Sequence, residues 1–324
     1  MRGAIDRDRP TRRRHLVERS PVWHAPQVLW ARQSASVRGI VFMCLSTLFA
    51  TMMHGLVRVV GQDLPAFEVA FFRNLFGLLI LSPLLWQSRF RVLRTERVGL
   101  HALRGLANVL AMFLFFSSLT MIPLARVSAL NFTAPIFMAL MSIVFLGERF
   151  RFYRWAAIFA GFAGVLIILR PGFDVIDAGS LLVVASAAFW AVAMVFIKML
   201  SRTESSLTIV AWMGITMCLF SFGPALWVWQ TPTLEQLLLL MLVGFCGTVA
   251  QMAISQSLKV ADPTAVLPFD FLKLIWATLI GVLFFAEVPD AFTWIGAAVI
   301  FSSGLAIAFR EKRLSKPSMP PPRF

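Results

Sequence analysis

Asp270 and Lys273 stand one helical turn apart inside an apolar run, where a carboxylate and an ammonium can bind a polar solute, carry a proton or neutralise each other. His101, Arg104 and Asn108 follow at spacings of three and four and so share one helix face, which Met112 and Phe115 continue. Three more polar stripes have the same periodicity: Thr47, Thr51, His54 and Arg58; Ser128, Asn131, Pro135 and Ser142; and Thr248, Gln251 and Ser255. A charge inside a bilayer costs about 2.5–3.5 kcal/mol, so these faces are expected to meet around one cavity rather than face lipid. His54, Arg104, Asn108, Asn131, Gln251, Asp270 and Lys273 are the expected solute ligands, with Trp190 and Trp276 deep enough to line the cavity. Asp270, Glu68 and His54 are the groups able to carry a proton.

Each residue also has a plainer reading. Asp270 and Lys273 can be a structural ion pair, and lone Asn and Gln side chains often only bridge helices, for about 0.6 kcal/mol. Arg58 and Arg126 lie close enough to a surface to snorkel, and Arg104 partly so. Glu68 and Arg73, five apart, do not share a face and are expected to find partners on other helices. Catalysis would need clustered acids, a nucleophile beside a base, or metal ligands. None is assembled: the four histidines are scattered and no cysteine pair is close, so neither a metal nor a cofactor is expected.

These residues sit in elements set by composition. The chain is 59% hydrophobic and 14% charged, against about 25% charged in soluble domains. Apolar runs of about 20 residues, the length that crosses a bilayer as helix, recur at 39–60, 66–86, 98–119, 124–146, 153–170, 179–200, 207–229, 236–257, 262–286 and 291–309. Lys and Arg fall almost entirely in the tails and alternate loops, while the intervening loops hold only Arg170, which places both termini in the cytoplasm. Trp86, Trp155, Trp227, Trp229 and Trp294 mark span ends at headgroup level.

A shift of 139 places superimposes 39–170 on 178–309, aligning Glu148 with Glu287, Gly105 with Gly244, Trp155 with Trp294, and Asn131-Phe132 with Asp270-Phe271. Five helices repeated in tandem must enter the bilayer upside down the second time. Charge inverts accordingly: Arg149, Arg151 and Arg154 follow Glu148, whereas Val288, Asp290 and Thr293 follow Glu287. The expected fold is an all-α integral membrane protein of ten transmembrane helices in two inverted five-helix repeats, 39–170 and 178–310. Glu148 and Glu287, closing the fourth helix of each repeat, are a structural pair by this logic.

The stretch from Pro123 to Gly172, with Pro135 and the Gly147-Glu148 pair, resembles the drug/metabolite transporter superfamily in its EamA-type branch. The second copy is similar but carries Ala286 in place of the glycine before Glu287 and has its proline earlier, at Pro268. The resemblance implies two five-helix repeats, secondary transport in a bacterial cytoplasmic membrane, and a substrate class of small metabolites such as amino acids, S-adenosylmethionine, riboflavin or metallophores. A membrane-embedded enzyme or a passive channel is the alternative.

The +14 net charge does not indicate a nucleic-acid partner. Nine of the 30 basic residues lie in the tail 1–38, where they fix orientation and touch anionic lipid. That tail reads as disordered, as does the proline-rich end 316–324 of the C-terminal tail 311–324. Small residues at four-residue spacing, Ala157 with Gly161, Ala160 with Gly164, and Gly296 through Gly304, allow close helix packing within the subunit or in a homodimer.

Overall fold

A chain with this much apolar surface can bury its backbone polar groups in lipid only as helix or closed barrel. The computed structural model describes residues 34–87, 93–146, 152–169, 177–200, 202–261 and 263–315, and the regular structure there is helical. In chain order the helices are α1 (Ala35–Val60), α2 (Ala66–Gln87), α3 (Val98–Met121), α4 (Leu124–Asn131), α5 (Ala134–Leu146), α6 (Phe152–Leu169), α7 (Ala178–Leu200), α8 (Ser206–Trp227), α9 (Leu234–Val260), α10 (Pro263–Val266), a 3-10 segment Leu267–Phe271, α11 (Leu272–Phe285) and α12 (Ala291–Ser315). Among the described residues seven helices are long and apolar enough to cross a membrane, and three shorter apolar ones, Leu124–Met138, Ile158–Leu169 and Ala291–Ala306, complete the ten expected. The protein is a multi-pass membrane protein. Residues 1–33 and 316–324 of the tails, and Glu148, lie outside the described residues, while 35–38 begin α1 and 311–315 end α12.

Local signals set the ends. Ser34 caps α1 by accepting from the Val37 N–H, Ser205 caps α8, and Thr233 with Gln236 forms a reciprocal capping box at the start of α9. Ala286, where a glycine would be at ease, closes α11 at φ 54°, and the Glu287 N–H returns to the Gly281 carbonyl at 3.0 Å. A Cβ in this left-handed conformation costs about 1 kcal/mol relative to glycine.

One expectation needs correction. The spans 124–146 and 262–286 were expected as single helices, yet each is interrupted. Pro135 has no N–H and its ring would strike the Asn131 carbonyl, so α4 stops at Asn131. Phe132 and Thr133 then close a tight turn through Ala129 and Leu130 carbonyls before α5 begins. Pro268 does the same to the later span, leaving α10, the 3-10 segment and α11. Although the prolines differ in position, the irregular segments overlap under the 139-residue shift, at Phe132 and Phe271. The two phenylalanines stack on each other, centroids 5.6 Å apart at 21°, and both touch Phe301.

Packing of the long helices pairs α1 with α9, α3 with α7, α2 with α8, and α6 with α12. Further contacts join α2 to α9, α3 to α8, α1 to α11, and α5 to α7. Small residues let backbones approach. Ser46 on α1 donates to the Ala250 carbonyl on α9 at 2.9 Å, and Ser186 on α7 donates to the Ala111 carbonyl on α3 at 2.7 Å. Gly164 and Gly296 bring α6 against α12, where a Cβ on either would fall within 2.9 Å of the other's carbonyl oxygen. These glycines are therefore used inside the subunit.

Candidate functional site

The expected site residues divide by place. Around α1 and α11 lies the first group. Lys273 Nζ is 2.6 Å from Asp270 Oδ1, both side chains partly exposed, immediately after the interruption in the second half. Three residues on, Trp276 donates its indole N–H to Thr47 Oγ1 on α1 at 3.3 Å. His54, two turns further along α1, packs its ring on Phe115 of α3 at 4.8 Å. Asp270, Lys273, Trp276 and His54 thus share one region bounded by α1, α3 and α11. Asn131 is half-buried at the matching interruption in the first half.

The face His101, Arg104, Asn108 is buried as expected, but its first two residues are occupied by α8. His101 stacks on Trp212 at 5.5 Å and 21°, and Trp212 donates to the Leu93 carbonyl. Arg104 donates to the Ile209 carbonyl at 2.7 Å and touches Met213 sulfur at 3.1 Å. Its charge is spent on backbone between helices, far in sequence from the interruptions. Replacing Arg104 with Met is expected to lower thermal stability by about 1.5 kcal/mol, the scale of a hydrogen bond to a charged group, and to leave solute affinity within twofold of wild type. Unfolding and binding assays on the same sample read both.

On α9, Thr248 is buried and bonded to the Gly244 carbonyl, while Gln251 and Ser255 are exposed. Trp190 is 41% exposed. Among the described residues, the side chains of Asn108, Asn131 and Gln251 have no hydrogen-bond partner, so none of the three bridges helices there.

Nearer the opposite ends of these helices, ion pairs tie elements together. Arg58 pairs with Glu287, donates to the Leu119 and Ile122 carbonyls, and lies 4.9 Å over Phe285. Glu287 also accepts from the Leu124 N–H at 3.0 Å. Arg126 pairs with Asp177 at 3.2 Å. Glu68 is fully buried, with one oxygen accepting from the Gln230 N–H and the other unpartnered. Glu68, read from sequence as a proton carrier, is placed against the segment between α8 and α9, apart from Asp270 and His54.

Sequence reasoning kept Arg73 out of the site and expected its partners on other helices. Its hydrogen bond goes instead to Asn74 of its own helix, and it packs beside Gly247 of α9 and Met53 of α1. The signal that marks it is an arginine inside a span with no acid one turn away.

The arrangement offers an ammonium, a guanidinium, a carboxylate, an imidazole and an indole beside paired helix breaks, which suits reversible capture of a small polar solute. No nucleophile with an adjacent base is present among these groups. The EamA-like transporter family matches residues 37–170 and again 177–309 of this chain. The chain is similar to an S-adenosylmethionine uptake transporter of Rickettsia bellii (strain RML369-C), 29% identical over 85% of this chain and 94% of that one. It is similar to a riboflavin transporter of Rhizobium johnstonii, 33% identical over 86% of this chain and 94% of that one. A solved crystal structure, 20% identical, superposes over 87% of this chain and 99% of its own with a TM-score of 0.57, which shows a shared fold.

Proposed function

The chain belongs to the EamA-like transporter family, and from that premise we propose that it carries one small polar metabolite across the bacterial cytoplasmic membrane by alternating access. The observation that carries this reading is the pair of interrupted helices meeting at Phe132 and Phe271. Breaks near mid-membrane free backbone polar groups for a solute, and such sites lie where two repeats join.

The two halves, 39–170 and 178–310, form inverted repeats in this proposal. Exchanging α1 with α7, α2 with α8, α3 with α9, and α6 with α12 turns the α1–α9 contact into α7–α3, and maps α2–α8 and α6–α12 onto themselves. The Ser46–Ala250 and Ser186–Ala111 bonds exchange in the same way. Five helices per half make the second copy run opposite to the first, which agrees with the loop charges and with cytoplasmic termini. Rocking of one half against the other opens the site first to one side and then to the other. Asp270, Lys273, His54 and Trp276 bind the solute, with Asn131 and Gln251 offering amides. The names of the relatives direct attention to S-adenosylmethionine and riboflavin as first solutes to try.

The decisive experiment profiles metabolites by mass spectrometry inside and outside cells with and without the protein. A solute whose distribution changes, and whose flux is reproduced in proteoliposomes containing the full chain, is the expected result. Unchanged profiles together with inert proteoliposomes would sink the proposal.

A further inference from the structure

Among the described residues, Arg73 stands in α2 without a counter-charge. A guanidinium stays protonated wherever it is placed, so its charge must be answered by something other than titration. Its one hydrogen bond among the described residues is from Nη1 to Asn74 Oδ1 at 3.0 Å. Nε is buried without a partner. The neighbouring cations take the acids: Arg58 pairs with Glu287, and Lys273 with Asp270.

The surroundings hold this cation in place rather than neutralise it. Asn74 is itself fixed, its amide N–H groups reaching the Met217 carbonyl and Ser221 Oγ of α8, each at 3.4 Å. On the other side Gly247 makes room, since a Cβ there would sit 3.1 Å from Nε and 3.3 Å from Nη2 of Arg73. Arg73 packs beside Gly247 and Met53, the residue before His54 on α1, and α1 also packs against α11, which carries Lys273. A buried cation in a membrane is answered by a counter-charge, by backbone carbonyls as at Arg104, or by a group that enters from a cavity, and Arg73 has neither of the first two among the described residues.

We infer that Arg73 is the oxyanion-binding residue of the transport site, and that the solute carries a carboxylate or phosphate group which the guanidinium engages. This rests on the transport reading above and narrows it. Riboflavin has no such group, its 5′-phosphate does, and S-adenosylmethionine carries a carboxylate. Planar two-point contact with an oxyanion is what a guanidinium provides and an ammonium does not.

The test uses the full chain in proteoliposomes, with two pairs of probes: S-adenosylmethionine against its decarboxylated form, and riboflavin 5′-phosphate against riboflavin. Binding is read by thermal stabilisation and flux by counterflow. In at least one pair the oxyanion-bearing member is expected to bind about tenfold tighter. Arg73→Gln should bring it down to the level of its partner, and Arg73→Lys should fall between. The inference is overturned if the members bind alike, if no member binds, or if Arg73→Gln weakens both members of a pair equally, as a helix-packing role would. Should Arg73→Gln fail to fold, the wild-type pairs and Arg73→Lys decide. Binding with the expected preference but no flux refutes transport and keeps the oxyanion site; flux of riboflavin with no preference does the reverse.

Discussion

Glu287→Ala is expected to lower the stability of the purified protein by about 3 kcal/mol, because removing one member of a largely buried ion pair strands the other. Arg58 would keep its charge and its bonds to the Leu119 and Ile122 carbonyls but lose the carboxylate, with both side chains less than one-fifth exposed. The Leu124 N–H, one of the unpaired donors at the start of α4, would lose its acceptor as well. One residue therefore joins α1, the α3–α4 connection and the end of α11. The double variant Arg58→Met/Glu287→Leu is expected to be milder than Glu287→Ala, since no unpaired charge remains. Thermal unfolding in detergent, followed by tryptophan emission, measures both. A single variant no worse than the double would show that the contact is not the anchor described. The strain at Ala286 is consistent with this anchor, because the left-handed turn there aims Glu287 back at Arg58.

Much of this was legible in the residues. The spans follow from length and apolarity, and the pairing of Asp270 with Lys273 follows from three-residue spacing on a helix. Periodicity gives the face of a helix, but not its neighbour or its depth. The His101–Arg104–Asn108 face illustrates the gap: its burial was predictable, whereas its engagement with Ile209, Met213 and Trp212 depends on which helix lies across from it. Arg73 was left out of the site for the same reason, since its meaning comes from Gly247 and Met53 on other helices and from what is missing beside it. The helix interruptions escaped because Pro135 and Pro268 do not align under the repeat shift, although the irregular segments beside them overlap at Phe132 and Phe271. A proline stops a helix in the turn before it, so each span breaks on the N-terminal side of its own proline.

Asp270→Asn is expected to abolish solute accumulation driven by a pH gradient while counterflow exchange persists, and to destabilise the protein by stranding Lys273. The loss of stability alone would not distinguish a binding pair from a structural one. The double variant Asp270→Asn/Lys273→Met does. Removing both charges should restore most of the stability, since neither is left unpaired. If the pair only neutralises itself, gradient-driven transport should return with stability. If the pair belongs to the solute site, transport should stay below about a tenth of wild type and solute affinity should fall about tenfold, the loss of one charge-assisted contact. The second outcome is expected, because the pair is partly exposed, spans the end of the interruption at Phe271, and its Lys273 stands three residues before Trp276, which bonds to Thr47. A purely structural ion pair would more naturally sit where Arg58 and Glu287 do, bonded to backbone at the meeting of three elements. Recovery of both stability and transport in the double variant would move Asp270 and Lys273 out of the site and leave Arg73 as its charged centre.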